Sequence, residues 1–271
     1  MILAEFGVPK DADGGHRHEI RSRRLQTASH ETLESLWRFV TGAPDVESLG
    51  SSARADIDRI WGAGRPRLFL SHRATYKREA HDLKAALLSW GASGFVAHDD
   101  IEPALEWQRE IKTALGTMDV LVALLSEGFL SSCWTNQEVG AAMGRGVRIV
   151  SVRLGEDPPG FLSSEQAIAG RGREATSVAG EMFSVLSADV HLTSTMLEGL
   201  VVQWERAANF SDGISLMKRL EVFKAIPDHL LRRLESAFET NDQLHGAGGL
   251  SRRFPDFVHR HRAVGAPGGR G

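Results

Sequence analysis

The run Val120-Leu121-Val122-Ala123-Leu124-Leu125, opened by Asp119 and closed by Ser126, constrains this chain more than any other feature. Successive side chains of a strand face opposite sides of its sheet, so a strand with one wet face alternates apolar and polar residues. This run does not alternate. It reads as the central strand of a parallel sheet, covered on both faces.

The flanking sequence repeats a strand-helix pattern from Arg67 onward. Leu68–Leu70 is a short strand, and Leu83, Leu87, Leu88 and Trp90 line one face of a helix from about Lys77 to Trp90. Phe95-Val96-Ala97 reads as a second strand, with the next helical face formed by Trp107, Ile111, Ala114 and Leu115. Val139, Ala142 and Met143 belong to a helix opened near Thr135, followed by a fourth strand at Val147–Val152. Gly155 to Pro159 ends that strand, and a helix around Arg173–Leu186 completes the unit. Strands joined by helical connections of this length predict an α/β fold with a central parallel sheet and helices on both faces.

Glycine and proline mark the borders. Gly62-Ala63-Gly64-Arg65-Pro66 separates an N-terminal extension, residues 1–65, from the α/β unit at 66–189. The extension is expected to be poorly ordered up to residue 30 and partly helical beyond. Its stripes are Leu33, Leu36, Trp37 and Val40, then Asp56, Ile57, Ile60 and Trp61. Residues 190–260 read as a small helical C-terminal region. Its stripes are Leu197, Val201 and Trp204; Leu216, Leu220 and Phe223; and Leu230, Leu234 and Phe238, with a helix start at Pro227-Asp228. Gly246, Gly248, Gly249 and Gly265–Gly271 read as loop, and residues 261–271 as a flexible tail.

A formal net charge of −3 gives no electrostatic case for nucleic acid or an anionic membrane. The lone Cys133 excludes an internal disulfide and suits a reducing cytoplasm. No stretch approaches the roughly 18 apolar residues of a membrane span, and the N-terminus lacks the pattern of a signal peptide. The expectation is a cytoplasmic protein.

In an open parallel sheet, ligands bind beyond the carboxyl ends of the strands. Ser71-His72, Asp99-Asp100 and Ser126-Glu127 each follow a strand and converge on that rim. Trp134 and Glu138 begin beyond the same rim and stand four residues apart, hence on one face once a helix has started. An aromatic ring beside a carboxylate suits cleavage of an N-glycosidic bond to a cationic base. The leaving group needs no acid, the carboxylate stabilises an oxocarbenium-like transition state, and the indole holds the flat cation.

By residue type and position alone, blander roles stand beside these. A Glu near a helix start offsets the helix dipole, Trp134 fills core, and Cys133 is a buried small hydrophobe. His16/His18 and His259/His261 lack a third metal ligand. There is no G-x-S-x-G elbow and no phosphate-binding G-x-x-x-x-G-K-[ST] loop.

Four ordered pieces give the chain a family likeness: Phe69-Leu70-Ser71-His72, then Asp100-Ile101-Glu102-Pro103 with Trp107, then Ser126-Glu127-Gly128-Phe129-Leu130, then Ser132-x-Trp134-x-x-x-Glu138. Over about residues 66–188 the chain resembles a TIR (Toll/interleukin-1 receptor) domain of the bacterial, NAD+-cleaving type. The resemblance implies a flavodoxin-like fold and NAD+ glycohydrolase or cyclase activity, with NAD+ as substrate and no cofactor or metal. It implies Glu138 as the catalytic residue and Trp134, Ser71, His72, Asp100, Ile101 and Trp107 as substrate-binding candidates. It further implies self-association through TIR domains, a role in anti-phage defence, and a regulatory partner for the helical C-terminal region. The non-catalytic alternative is a TIR scaffold; a nucleoside deoxyribosyltransferase is the more distant one. Two positions depart from the family pattern. Thr135 stands where Cys is frequent after the tryptophan, and Ala104 stands where Gly usually follows the proline.

Overall fold

The apolar run at 120–125 is the middle strand of a five-stranded, all-parallel sheet in the computed structural model, which describes residues 51–96, 105–164 and 166–265. In chain order the elements are α1 (Ser51–Trp61), β1 (Arg67–Ser71), α2 (Lys77–Ser89), β2 (Ser93–Val96), α3 (Leu105–Thr117), β3 (Val120–Leu125), α4 (Cys133–Gly144), β4 (Arg148–Arg153), β5 (Ile168–Ala169) and α5 (Ala175–Ala188). Five further helices follow: α6 (Thr193–Glu205), α7 (Phe210–Leu220), α8 (Asp228–Thr240), α9 (Asp242–His245) and α10 (Leu250–Gly265). The strand order β2-β1-β3-β4-β5 is the flavodoxin-like order, with its switch point between β1 and β3.

Every residue of β3 is buried, and the two-residue period divides them between layers. Val120, Val122 and Leu124 join Leu68, Leu70, Val150 and Val152 against α2 and α5. Leu121, Ala123 and Leu125 join Phe69 against α1, α3 and α4. At about 1.5–3 kcal/mol for each large apolar side chain fully buried, this strand is a main anchor of the fold. Its start is fixed to that of β1 by Asp119, which accepts from the Arg67 backbone N–H at 2.8 Å and from the guanidinium at 3.0 and 2.6 Å.

The first described helix belongs to the same core. Ile57 and Trp61 of α1 lie in the layer with Phe69, and the Trp61 indole N–H donates to Thr117 Oγ1 at 2.9 Å. On the opposite face the apolar core runs without a break from the sheet through α2 and α5 into α6–α10. The contact between these parts is close: a Cβ on Gly199 of α6 would lie 2.0 Å from the Gly91 carbonyl oxygen, so two backbones touch there. Arg219 of α7 lies 4.0 Å over the Trp90 ring and donates to the Ser89 carbonyl at the end of α2.

Several expectations need correction. The sheet has a fifth strand, β5, too short at two residues to carry a periodic signal. Helix α10 occupies 250–265 and extends into the stretch read as flexible tail, despite Pro255 within it. Phe254, Phe257, Val258 and His261 supply a buried stripe that outweighs the helix-breaking residues around them. The stripe at 33–40 lies outside the described residues. Among the described residues no helix is long and apolar enough to cross a membrane.

Candidate functional site

Strand alternation decides where Ser71 points. Phe69 enters the layer shared with α4, and Ser71, two residues on at the carboxyl end of β1, faces the same layer. There its hydroxyl donates to Glu138 Oε2 at 2.5 Å, a short charge-assisted hydrogen bond between two buried side chains. His72 follows and is also buried, its Nδ1 3.1 Å from the Leu70 carbonyl oxygen.

Glu138 is delivered by α4. Ser132 caps this helix, its hydroxyl accepting from the Thr135 N–H at 3.5 Å. The helix has therefore started before Trp134, and Trp134 and Glu138 lie one turn apart on it. Their environments differ sharply: Glu138 is 6% exposed and Trp134 51% exposed. The pair is a recessed carboxylate with an open indole at its margin, not a core tryptophan over a solvated glutamate.

In the sequence Thr135 marks the opening of a helix and a departure from the family pattern, and the structure gives its side chain work. Its buried hydroxyl donates to the Phe129 carbonyl and to the Ser132 carbonyl at 3.2 Å, tying the first turn of α4 to the preceding 3-10 turn at Phe129–Ser131. Cys133, expected in the core, is exposed. As the first residue of α4 it points outward, because Thr135 and Glu138 take the buried face.

Asp99, Asp100 and Ile101, with Ala104, lie outside the described residues, and for Trp107 only the backbone, within α3, is described. Of the sequence candidates, the structure brings Ser71 and Glu138 into contact and sets His72 and Trp134 beside them along the chain. No group of three or more His, Cys, Asp or Glu side chains among the described residues could hold a metal ion. His259 is exposed, while His261 is buried with its ring 4.5 Å from that of Phe257.

A parallel sheet in this order, with polar residues at the end of β1 and on the helix α4 gathered at its carboxyl edge, defines a flavodoxin-like α/β domain with a rim site. Residues 68–181, less than half of the chain, match the family model described as TIR domain, and this segment is a TIR domain. Comparison with curated proteins and with solved structures returned no match.

Proposed function

We propose that this protein cleaves the bond between nicotinamide and ribose in NAD+, with Glu138 as the catalytic residue. The observation that carries the reading is the buried Ser71–Glu138 hydrogen bond at the carboxyl edge of the sheet, on the helix that also presents Trp134. A carboxylate held in one orientation, with little water around it, is suited to stabilising positive charge that develops on a sugar.

In the proposed step the ribose C1–N bond breaks. Its electron pair returns to the pyridinium nitrogen, which leaves as neutral nicotinamide. The oxocarbenium-like ribose is then captured by water, giving ADP-ribose and a proton, or by a nitrogen of the adenine, giving a cyclic isomer. Ser71 orients the carboxylate, and Trp134 stacks on the flat cationic ring. His72, Asp100, Ile101 and Trp107 are proposed to complete the substrate's surroundings, and a defence role in the cytoplasm is part of the same reading. The C-terminal helices are proposed to receive a regulatory partner.

The test is incubation of concentrated protein with NAD+, resolved by chromatography, with Glu138→Gln alongside. Nicotinamide released by the wild type alone supports the reading, and the second product separates hydrolysis from cyclisation. Intact NAD+ with forcibly assembled wild type would refute it.

One observation favours a second reading, a TIR scaffold. Leu130, Trp134 and Met143 leave large apolar surface on and beside α4, and TIR domains commonly self-associate. A self-complex that survives Glu138→Ala, with no NAD+ consumed, would select this alternative.

A further inference from the structure

The loops that follow β1, β3 and β4 converge on one glycine. Gly128 has φ +72°, a conformation that side chains resist, and a Cβ there would approach Arg73 Nη1 to 2.6 Å. Its carbonyl accepts from Arg73 Nη1 at 2.7 Å, and its N–H donates to Glu156 Oε1 at 2.6 Å. One peptide segment is thus gripped on both sides by charged side chains of two neighbouring loops.

The Glu156 end of this grip is itself fixed, and so is the turn that follows the glycine. The N–H groups of Leu154, Gly155 and Glu156 all donate to the Leu125 carbonyl, at 2.9, 2.9 and 3.1 Å, so the Glu156 loop is pinned to the end of β3. Downstream, the Phe129 N–H donates to Ser126 O at 2.9 Å and the Ser131 N–H to Gly128 O at 3.0 Å. The Thr135 hydroxyl on Phe129 O and the Asn136 amide on Leu130 O, at 2.6 Å, then join this turn to α4. Among the described residues Gly128 is the one left-handed residue of this connection, and the turn that follows it is bonded to the first turn of α4 through Thr135 and Asn136.

We infer that Arg73 and Glu156 are positioning residues for Glu138. By holding Gly128 from both sides they set where α4 begins, and so the height of the Glu138 carboxylate against Ser71 and the direction of Trp134. Neither acts on substrate; each acts through the backbone. The catalytic part of this inference rests on the NAD+-cleaving reading, whereas the mechanical part does not.

Cys133, the only cysteine of the chain, exposed at the first position of α4, reports the mechanical part directly. Its rate of alkylation by N-ethylmaleimide is to be measured in wild type, Arg73→Ala, Glu156→Ala, the double variant and Arg73→Lys, with NAD+ turnover in parallel. Loosening the clamp is expected to speed alkylation about threefold or more, because the Gln137 amide that donates to the exposed Cys133 sulfur at 3.5 Å is no longer held against it at a frayed start of α4. It is expected to lower kcat by about tenfold to a hundredfold with KM within about threefold, the signature of a misplaced catalytic group. Arg73→Lys is expected to recover part of both, and the double variant to be no worse than the worse single one.

Unchanged alkylation rates in folded variants overturn the clamp, whether or not the protein cleaves NAD+. Faster alkylation with unchanged kcat overturns its part in the reaction. A wild type that leaves NAD+ intact removes the functional reading, while the alkylation rates still decide the clamp. If an alanine variant does not fold, Arg73→Lys and Glu156→Gln, which keep the side-chain volume, carry the same test.

Discussion

Ser71 and Glu138, 67 positions apart in sequence, are joined by one hydrogen bond of 2.5 Å from the serine hydroxyl to Glu138 Oε2. The bond connects the end of a strand to the second turn of a helix, and it exists because Phe69 and Ser71 share a side of β1. Removing the hydroxyl while keeping the carboxylate is therefore informative. Ser71→Ala is expected to lower NAD+ turnover by about tenfold, a cost of about 1.4 kcal/mol in the transition state, from the lost hydrogen bond to a charged group. Glu138→Gln is expected to abolish turnover. Equal turnover in wild type and Ser71→Ala would show that the hydrogen bond has no part in the chemistry.

Trp134 offers a contrast in kind. Half its surface is open, so Trp134→Ala is expected to change stability by no more than about 0.5 kcal/mol in urea unfolding. Its proposed work is stacking, so KM for NAD+ is expected to rise, with Trp134→Phe intermediate. A KM unchanged by removal of the ring would take Trp134 out of the binding surface.

Two glycine substitutions of identical chemistry are expected to move stability in opposite directions. Gly199→Ala places a methyl group 2.0 Å from the Gly91 carbonyl, an overlap between two backbones that cannot rotate away. It is expected to cost about 3 kcal/mol or more, lowering Tm by roughly 6 °C or more. Gly140→Ala sits on the exposed side of α4 with no atom within 4 Å of the new methyl. Better helix propensity is expected to add about 0.5–1 kcal/mol. Thermal melts of the two variants beside wild type check both signs.

His261 gives the chain a pH dependence with a definite sign. Burial, and secondarily the charge of Arg260, hold its imidazolium below the ordinary histidine range. The unfolded chain therefore binds a proton that the folded chain resists. Its contribution to stability is present above the unfolded pKa of about 6.5 and is lost as pH falls through the depressed folded value. His261→Phe, which keeps a ring against Phe257, is expected to flatten the acid side of a plot of unfolding free energy against pH. An acid limb as steep as that of wild type would assign the loss to other groups.

The sheet was readable in the sequence because β3 is apolar throughout and its neighbours alternate with helical stripes of adequate length. Two-residue β5 was not, since a strand that short has no period to detect. Helix α10 was hidden behind glycines and Pro255, whose local preferences are overruled by tertiary burial of Phe254 and Phe257. At the site, Glu138 and Ser71 could be named from their motifs, but their contact depends on which side of β1 faces α4. Arg73 and Glu156 carried no signal at all. Each bonds to backbone atoms of a glycine 55 and 28 positions away, and backbone partners leave no trace in side-chain patterns. Cys133 misled because cysteine is more often buried, whereas its place at the outward start of α4 decides its exposure.

The unbroken apolar core from the sheet through α10 bears on how a signal could travel through this protein. Leu186, Leu200, Leu220 and Leu234 sit in one shared interior, so the sheet and the C-terminal helices are expected to melt together as one cooperative unit. Any molecule that binds the folded helices then raises the unfolding free energy of the rim as well, by RT ln(1 + [L]/Kd), with no hinge between the two. Communication across such a body takes the form of shared rigidity rather than of one part swinging against another.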